Sequence, residues 1–147
     1  MLPVLAIAIL AGCSAPPPVE QSRPDLTAAT WYAPMTEQLT VLNRQAEALM
    51  ARGSFDEAAA AISRGQALQG RLLEAARPTL AAMEAASDLD DLYGRMLLHN
   101  KQYGWARSTF QKNVMRWKHW KPPTDSTAQR LKTATDAVAE CDRRLEQ

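Results

Sequence analysis

The sequence predicts an all-helical domain, and three observations carry that reading. Apolar residues recur at spacings of three and four from about residue 39 onward, the period of one buried stripe on an α-helix. Gly is scarce, at 6 of 147 residues, Ala is abundant, and no stretch alternates as a half-buried strand does. Turn and cap signals then cut the pattern into about five helices, read as antiparallel hairpins followed by a last helix that covers the final pair.

Residues 14–30 read as a tether. Ala15-Pro16-Pro17-Pro18 favours the stiff, extended polyproline geometry, and residues 20–30 offer little to bury. Trp31-Tyr32-Ala33-Pro34 interrupts this polar run. The aromatic pair reads first as a staple of the first helix onto the domain, and second as an anchor in the headgroup zone.

The first helix is expected over about residues 36–52, where Leu39, Leu42, Ala46 and Leu49 make one stripe. Gly53 ends it as a left-handed C-terminal residue. Ser54 and Glu57 read as a capping box for a second helix, which Leu68, Leu72 and Leu73 prolong to about Ala76. Pro78 suits the first turn of a third helix, running to about Asn100 with a break allowed at Ser87. The fourth spans about residues 103–119, and Pro122-Pro123 stops the chain. The fifth starts near Asp125. Its stripe of Leu131, Ala134, Val138, Cys141 and Leu145 places Cys141 in the core as a packed thiol, with an intermolecular disulfide as the alternative.

At the other end, the apolar run of residues 4–10 is too short to span a bilayer and fits a secretory h-region, although no Lys or Arg precedes it. Leu10-Ala11-Gly12-Cys13 follows, and resembles the lipobox of bacterial lipoprotein signal peptides. The resemblance implies cleavage before Cys13, acylation of its thiol and attachment to membrane through the acyl chains. Ser14, in place of an Asp, implies sorting to the outer membrane, facing the periplasm. Residues 1–12 are then a signal peptide, 13–34 a lipidated Cys with its tether, and 35–147 the helical domain.

A second resemblance covers roughly half of the mature chain. Residues 42–65 look like a tetratricopeptide repeat: Ala46 and Ala58 are the small contact residues, Gly53 and Phe55 the turn. A divergent copy spans residues 92–117, with Gly94, Tyr103, Ala106 and Phe110 in the matching roles. The copies lie 48 residues apart, Lys101 replaces the turn glycine, and the expectation is two divergent hairpins joined by a lengthened helix. The resemblance implies a groove lined by the first helix of each hairpin, with Asn43, Glu47, Arg95 and His99 as candidate contacts.

The residues offer little for catalysis. His99 and His119 have no metal-ligand spacing with Cys or each other, and no phosphate loop or nucleophile elbow occurs. Asp88, Asp90 and Asp91 read as solvated charges near a helix start. No enzyme, metal or cofactor is expected. Charge is more informative. Residues 92–124 hold seven Lys or Arg and no acid, within a chain of net charge +1. On a helical wheel, Tyr103, Ala106, Phe110, Val114 and Trp117 face the core. Trp105, Thr109, Lys112 and Arg116 fall opposite, with Trp120 nearby. Trp105, Lys112, Arg116 and Trp120 are thus the candidate partner face, since Trp and Arg anchor interfaces.

The expected function is an outer-membrane lipoprotein acting as a protein–protein adaptor or assembly factor of the cell envelope. The alternative is a basic-aromatic surface that binds anionic lipid or peptidoglycan. Nucleic acid is not an expected partner of an exported chain.

Overall fold

The computed structural model describes residues 24–147, and the lipobox-like segment with Cys13 lies outside them. All secondary structure among the described residues is helical: a 3-10 turn at Leu26–Ala28, then α1 (Tyr32–Ala51), α2 (Phe55–Leu72), α3 (Leu80–His99), α4 (Tyr103–His119) and α5 (Asp125–Leu145). α1 pairs with α2 and α3 with α4 as tight hairpins, α3 packs on both α1 and α2, and α5 lies along α4. One apolar cluster joins α1, α2 and α3 through Leu39, Ala46, Ile62, Leu72 and Leu89. A second, around Leu97, Phe110 and Cys141, joins α3, α4 and α5.

Both hairpins turn in the same way. At the first, Gly53 takes φ +78°, its N–H donates to the Met50 carbonyl at 3.0 Å, and the Ser54 N–H donates to that of Leu49 at 2.9 Å. This is the paired closure of a left-handed helix end. At the second, Lys101 takes φ +58°, its N–H donates to Leu98 at 3.0 Å and the Gln102 N–H to Leu97 at 2.8 Å. The lysine therefore occupies the glycine's conformation without its freedom from steric cost. Small residues allow close approach beyond the turn. A Cβ on Gly94 would sit 2.5 Å from Phe110 Cε1, so the ring of α4 lies directly on the backbone of α3.

The hairpins repeat in register. Tyr32 and Leu80 open α1 and α3, Ala51 and His99 close them, and Phe55 and Tyr103 open α2 and α4, each pair 48 residues apart. The expected lengthened helix is absent. α2 ends at Leu72 rather than Ala76, and residues 73–79 form a connector in which Ala75 is buried. Pro78 lies before α3 rather than in its first turn. Thr79 is the cap, its hydroxyl accepting from the Ala82 N–H at 3.2 Å.

Two further expectations need correction, at the cap of α2 and at the start of α1. Ser54 makes no side-chain cap, because its ψ of 63° is outside the extended range a cap requires and its N–H already closes the preceding turn. The capping box is instead at Thr124 and Thr127, opening α5. α3 runs unbroken through Ser87. Finally, α1 begins at Tyr32, not residue 36, and Leu26 packs against the core, so the domain starts within the stretch read as tether. Tyr32 is buried with its hydroxyl donating to the Leu72 carbonyl at 3.2 Å, and the Arg71 guanidinium lies 4.5 Å from the Trp31 ring centre. The aromatic pair is a staple.

α3 is the centre of the molecule. Three amide side chains on three other helices donate to three consecutive carbonyls in its middle. Asn43 Nδ2 of α1 reaches Ala85 O at 2.8 Å, Gln69 Nε2 of α2 reaches Ala86 O at 3.0 Å, and Asn113 Nδ2 of α4 reaches Ser87 O at 2.9 Å. A helical carbonyl has a second lone pair, so these bonds add to the helix ladder.

The candidate groove and the open face of the fourth helix

α1, α3 and α5 line one side of the molecule, where two hollows of about 410 Å³ each meet at Asp88 and Asp91. Thr40, Asn43, Arg44 and Glu47 of α1 face Asp88, Asp91, Leu92 and Arg95 of α3 across the first hollow. These are the same four helical positions in the two repeats, 48 residues apart. Across the second, Asp88 and Asp91 face Gln129, Arg130 and Thr133 of α5. α5 thus walls the far side of this groove while packing chiefly along α4.

Charge runs across this groove as a ladder. Arg95 donates to Glu47 at 3.1 Å and to Asp91 at 2.9 Å, and Arg130 reaches Asp88 at 2.5 Å and Glu84 at 3.6 Å. Burial pushes the Asp91 carboxyl above its ordinary value; Arg95 opposes this, while Asp88 and Glu47 add to it. Beneath lies Asn43, whose Oδ1 is the one buried side-chain polar atom among the described residues without a hydrogen-bond partner. Of the expected groove residues, Asn43, Glu47 and Arg95 gather here. His99 does not: it stacks on Phe55 of α2, ring centres 3.8 Å apart and nearly parallel. Sequence reasoning missed Thr40, Asp88, Asp91 and Arg130, although the 48-residue register pairs Thr40 with Asp88 and Asn43 with Asp91.

The expected partner face on α4 divides. Trp105 is 72% exposed and Lys112 is exposed beside it. Arg116 points elsewhere: its side chain is only 9% exposed, bonded to Asp90 of α3 at 3.0 Å and to Asn113 Oδ1. Asp90, at 7% exposure, is likewise no solvated helix-start charge. Thr109 is buried and bonded to the Trp105 carbonyl at 2.9 Å. Trp120 is half-buried with its ring edge on Trp117. The wheel erred because α4 is covered on two sides, by α3 and by α5. Its open stripe is Trp105, Ser108, Lys112, Met115 and His119, spaced three and four apart, with Met115 48% exposed.

Cys141 is buried between α4 and α5, and burial raises its thiol pKa, with Asp142 and Glu140 adding to the shift. Among the described residues, no three His, Cys, Asp or Glu gather as metal ligands would, and no helix is long and apolar enough to cross a membrane. Comparison with protein-family models, curated proteins and solved structures finds no match.

Proposed function

We propose that the chain is a lipid-anchored, non-enzymatic adaptor of the cell envelope that holds an extended stretch of a partner protein in the groove across α1, α3 and α5. The observation that carries this reading is the repeated groove lining, Thr40, Asn43 and Glu47 with Asp88, Asp91 and Arg95. An extended polypeptide presents backbone N–H donors and side chains along one line, which suits a trough lined with carboxylates and guanidinium groups. The likeness of the hairpins to tetratricopeptide repeats points the same way. Anchoring rests on Leu10-Ala11-Gly12-Cys13 alone, and outer-membrane sorting on Ser14.

Two measurements test the two halves separately. Metabolic labelling with radioactive palmitate should mark the wild-type chain and leave Cys13→Ala unlabelled; an unlabelled wild type removes the anchor. Affinity capture from solubilised envelopes should retain a discrete protein with the wild type and lose it with Asn43→Ala/Asp88→Ala/Arg95→Ala, folded by circular dichroism. Equal capture by both removes the groove.

A further inference from the structure

The open stripe of α4 shares no residue with the groove, and its chemistry differs. Two large apolar side chains, Trp105 and Met115, stand in solvent on a helix that has no acidic residue. Lys112 lies between them, and Ser108 and His119 complete the stripe. Lys101 precedes the helix, Lys118 flanks its end and Lys121 follows it; all four lysines are exposed, and none is in an ion pair among the described residues. Three of the four carboxylates of α5 have cationic partners of their own, and Asp125, at its first position, does not. Asp142 is held by Arg107 at 2.6 Å, Asp136 by Lys132 at 2.6 Å, and Glu140 by Arg143 and Arg144.

We propose that this face of α4 docks on an anionic phospholipid surface, with Trp105 and Met115 entering the headgroup zone and the four lysines resting on the phosphates. Trp is at home at that depth, and Lys reaches outward along an apolar stem to keep its ammonium among the headgroups. Each lysine near an anionic surface strengthens binding about fivefold. An acidic protein helix would use the same charge, but it calls for apolar knobs along the whole stripe, and Ser108, Lys112 and His119 break that pattern. The proposal is independent of the groove: docking by α4 leaves the lining of α1, α3 and α5 uncovered.

The test is cosedimentation of the full chain carrying Cys13→Ser, so that no acyl group contributes, with vesicles of phosphatidylglycerol and phosphatidylcholine or of phosphatidylcholine alone. The difference between the two lipids is compared across variants that share the same N-terminal segment. The anionic preference should be clear, should weaken with salt, and should fall about tenfold in Trp105→Ala/Met115→Ala and about fivefold in Lys112→Ala. Arg64→Ala, an exposed cation of α2, should keep it. Brominated lipid should quench tryptophan emission less in Trp105→Phe than in the wild type. No anionic preference, or one that Trp105→Ala/Met115→Ala leaves intact, overturns the proposal. So does an equal loss in Arg64→Ala, which would mean bulk charge alone. Binding of polyglutamate with indifference to vesicles would assign the face to an acidic protein and overturn it equally.

Discussion

Asp90 and Arg116 show how much one buried pair governs. The two side chains lie 26 residues apart, meet at 3.0 Å and are almost wholly withdrawn from water. Removing one partner strands the other charge, so Asp90→Ala should lower the unfolding free energy by about 3–5 kcal/mol. The double variant Asp90→Leu/Arg116→Met should recover most of that loss in urea titrations. Equal instability of both variants would show that the pair's hydrogen-bonded neighbours matter more than its charges. Asp91, one residue on, answers to pH. Its carboxyl is raised in the folded chain, so the folded state keeps a proton that the unfolded chain has released. Its contribution is complete below the unfolded value, near 3.8, and is lost as pH rises through the folded one. Asp91→Asn should therefore remove a downward component from the stability profile above about pH 4, seen as the difference between the two proteins' urea midpoints across pH. Parallel profiles would contradict the burial argument. Neither residue's place was legible in the sequence. Three aspartates in four positions look solvated, and nothing local reveals that Arg116 lies across from the second of them.

The turns show what an element can reveal and what it hides. Gly53 announced its left-handed turn, whereas Lys101 gave no such signal, yet both close their helices with the same two hydrogen bonds. Lys101→Gly should stabilise the fold by about 1 kcal/mol, and Gly53→Ala should destabilise it by a similar amount. Chemical denaturation would resolve both signs, and a loss of stability in Lys101→Gly would mean the lysine side chain contributes more than its strain costs. The α4 and α5 boundaries were legible, because Pro122-Pro123 and a regular apolar stripe are local signals. The C-terminal end of α2 and the cap of α3 were not. Leucines at 68, 72 and 73 extend the helical pattern whether or not the backbone follows it, and it ends at Leu72.

For the whole molecule, the 48-residue register is the organising fact. It places α1 over α3 position for position, and so makes one half of the groove from residues that recur along the chain, with α5 walling the other half. The all-helical class and the hairpins followed from apolar spacing. The groove followed only in part, since Asn43, Glu47 and Arg95 were accessible through the likeness to helical repeats while Asp88 and Arg130 needed the third dimension. The same holds for α4, where a single-sided wheel found Trp105 and Lys112 but missed Met115. The most direct measurement of the account's central claim is photo-crosslinking in intact cell envelopes, with a photoreactive residue at Thr40 or Gln129 in the groove, and at Ser63 on the outer side of α2 as reference. The account predicts one discrete protein adduct from both groove positions and none from Ser63. Adducts from Ser63 alone, or from none of the three while Cys13 is acylated, would contradict it.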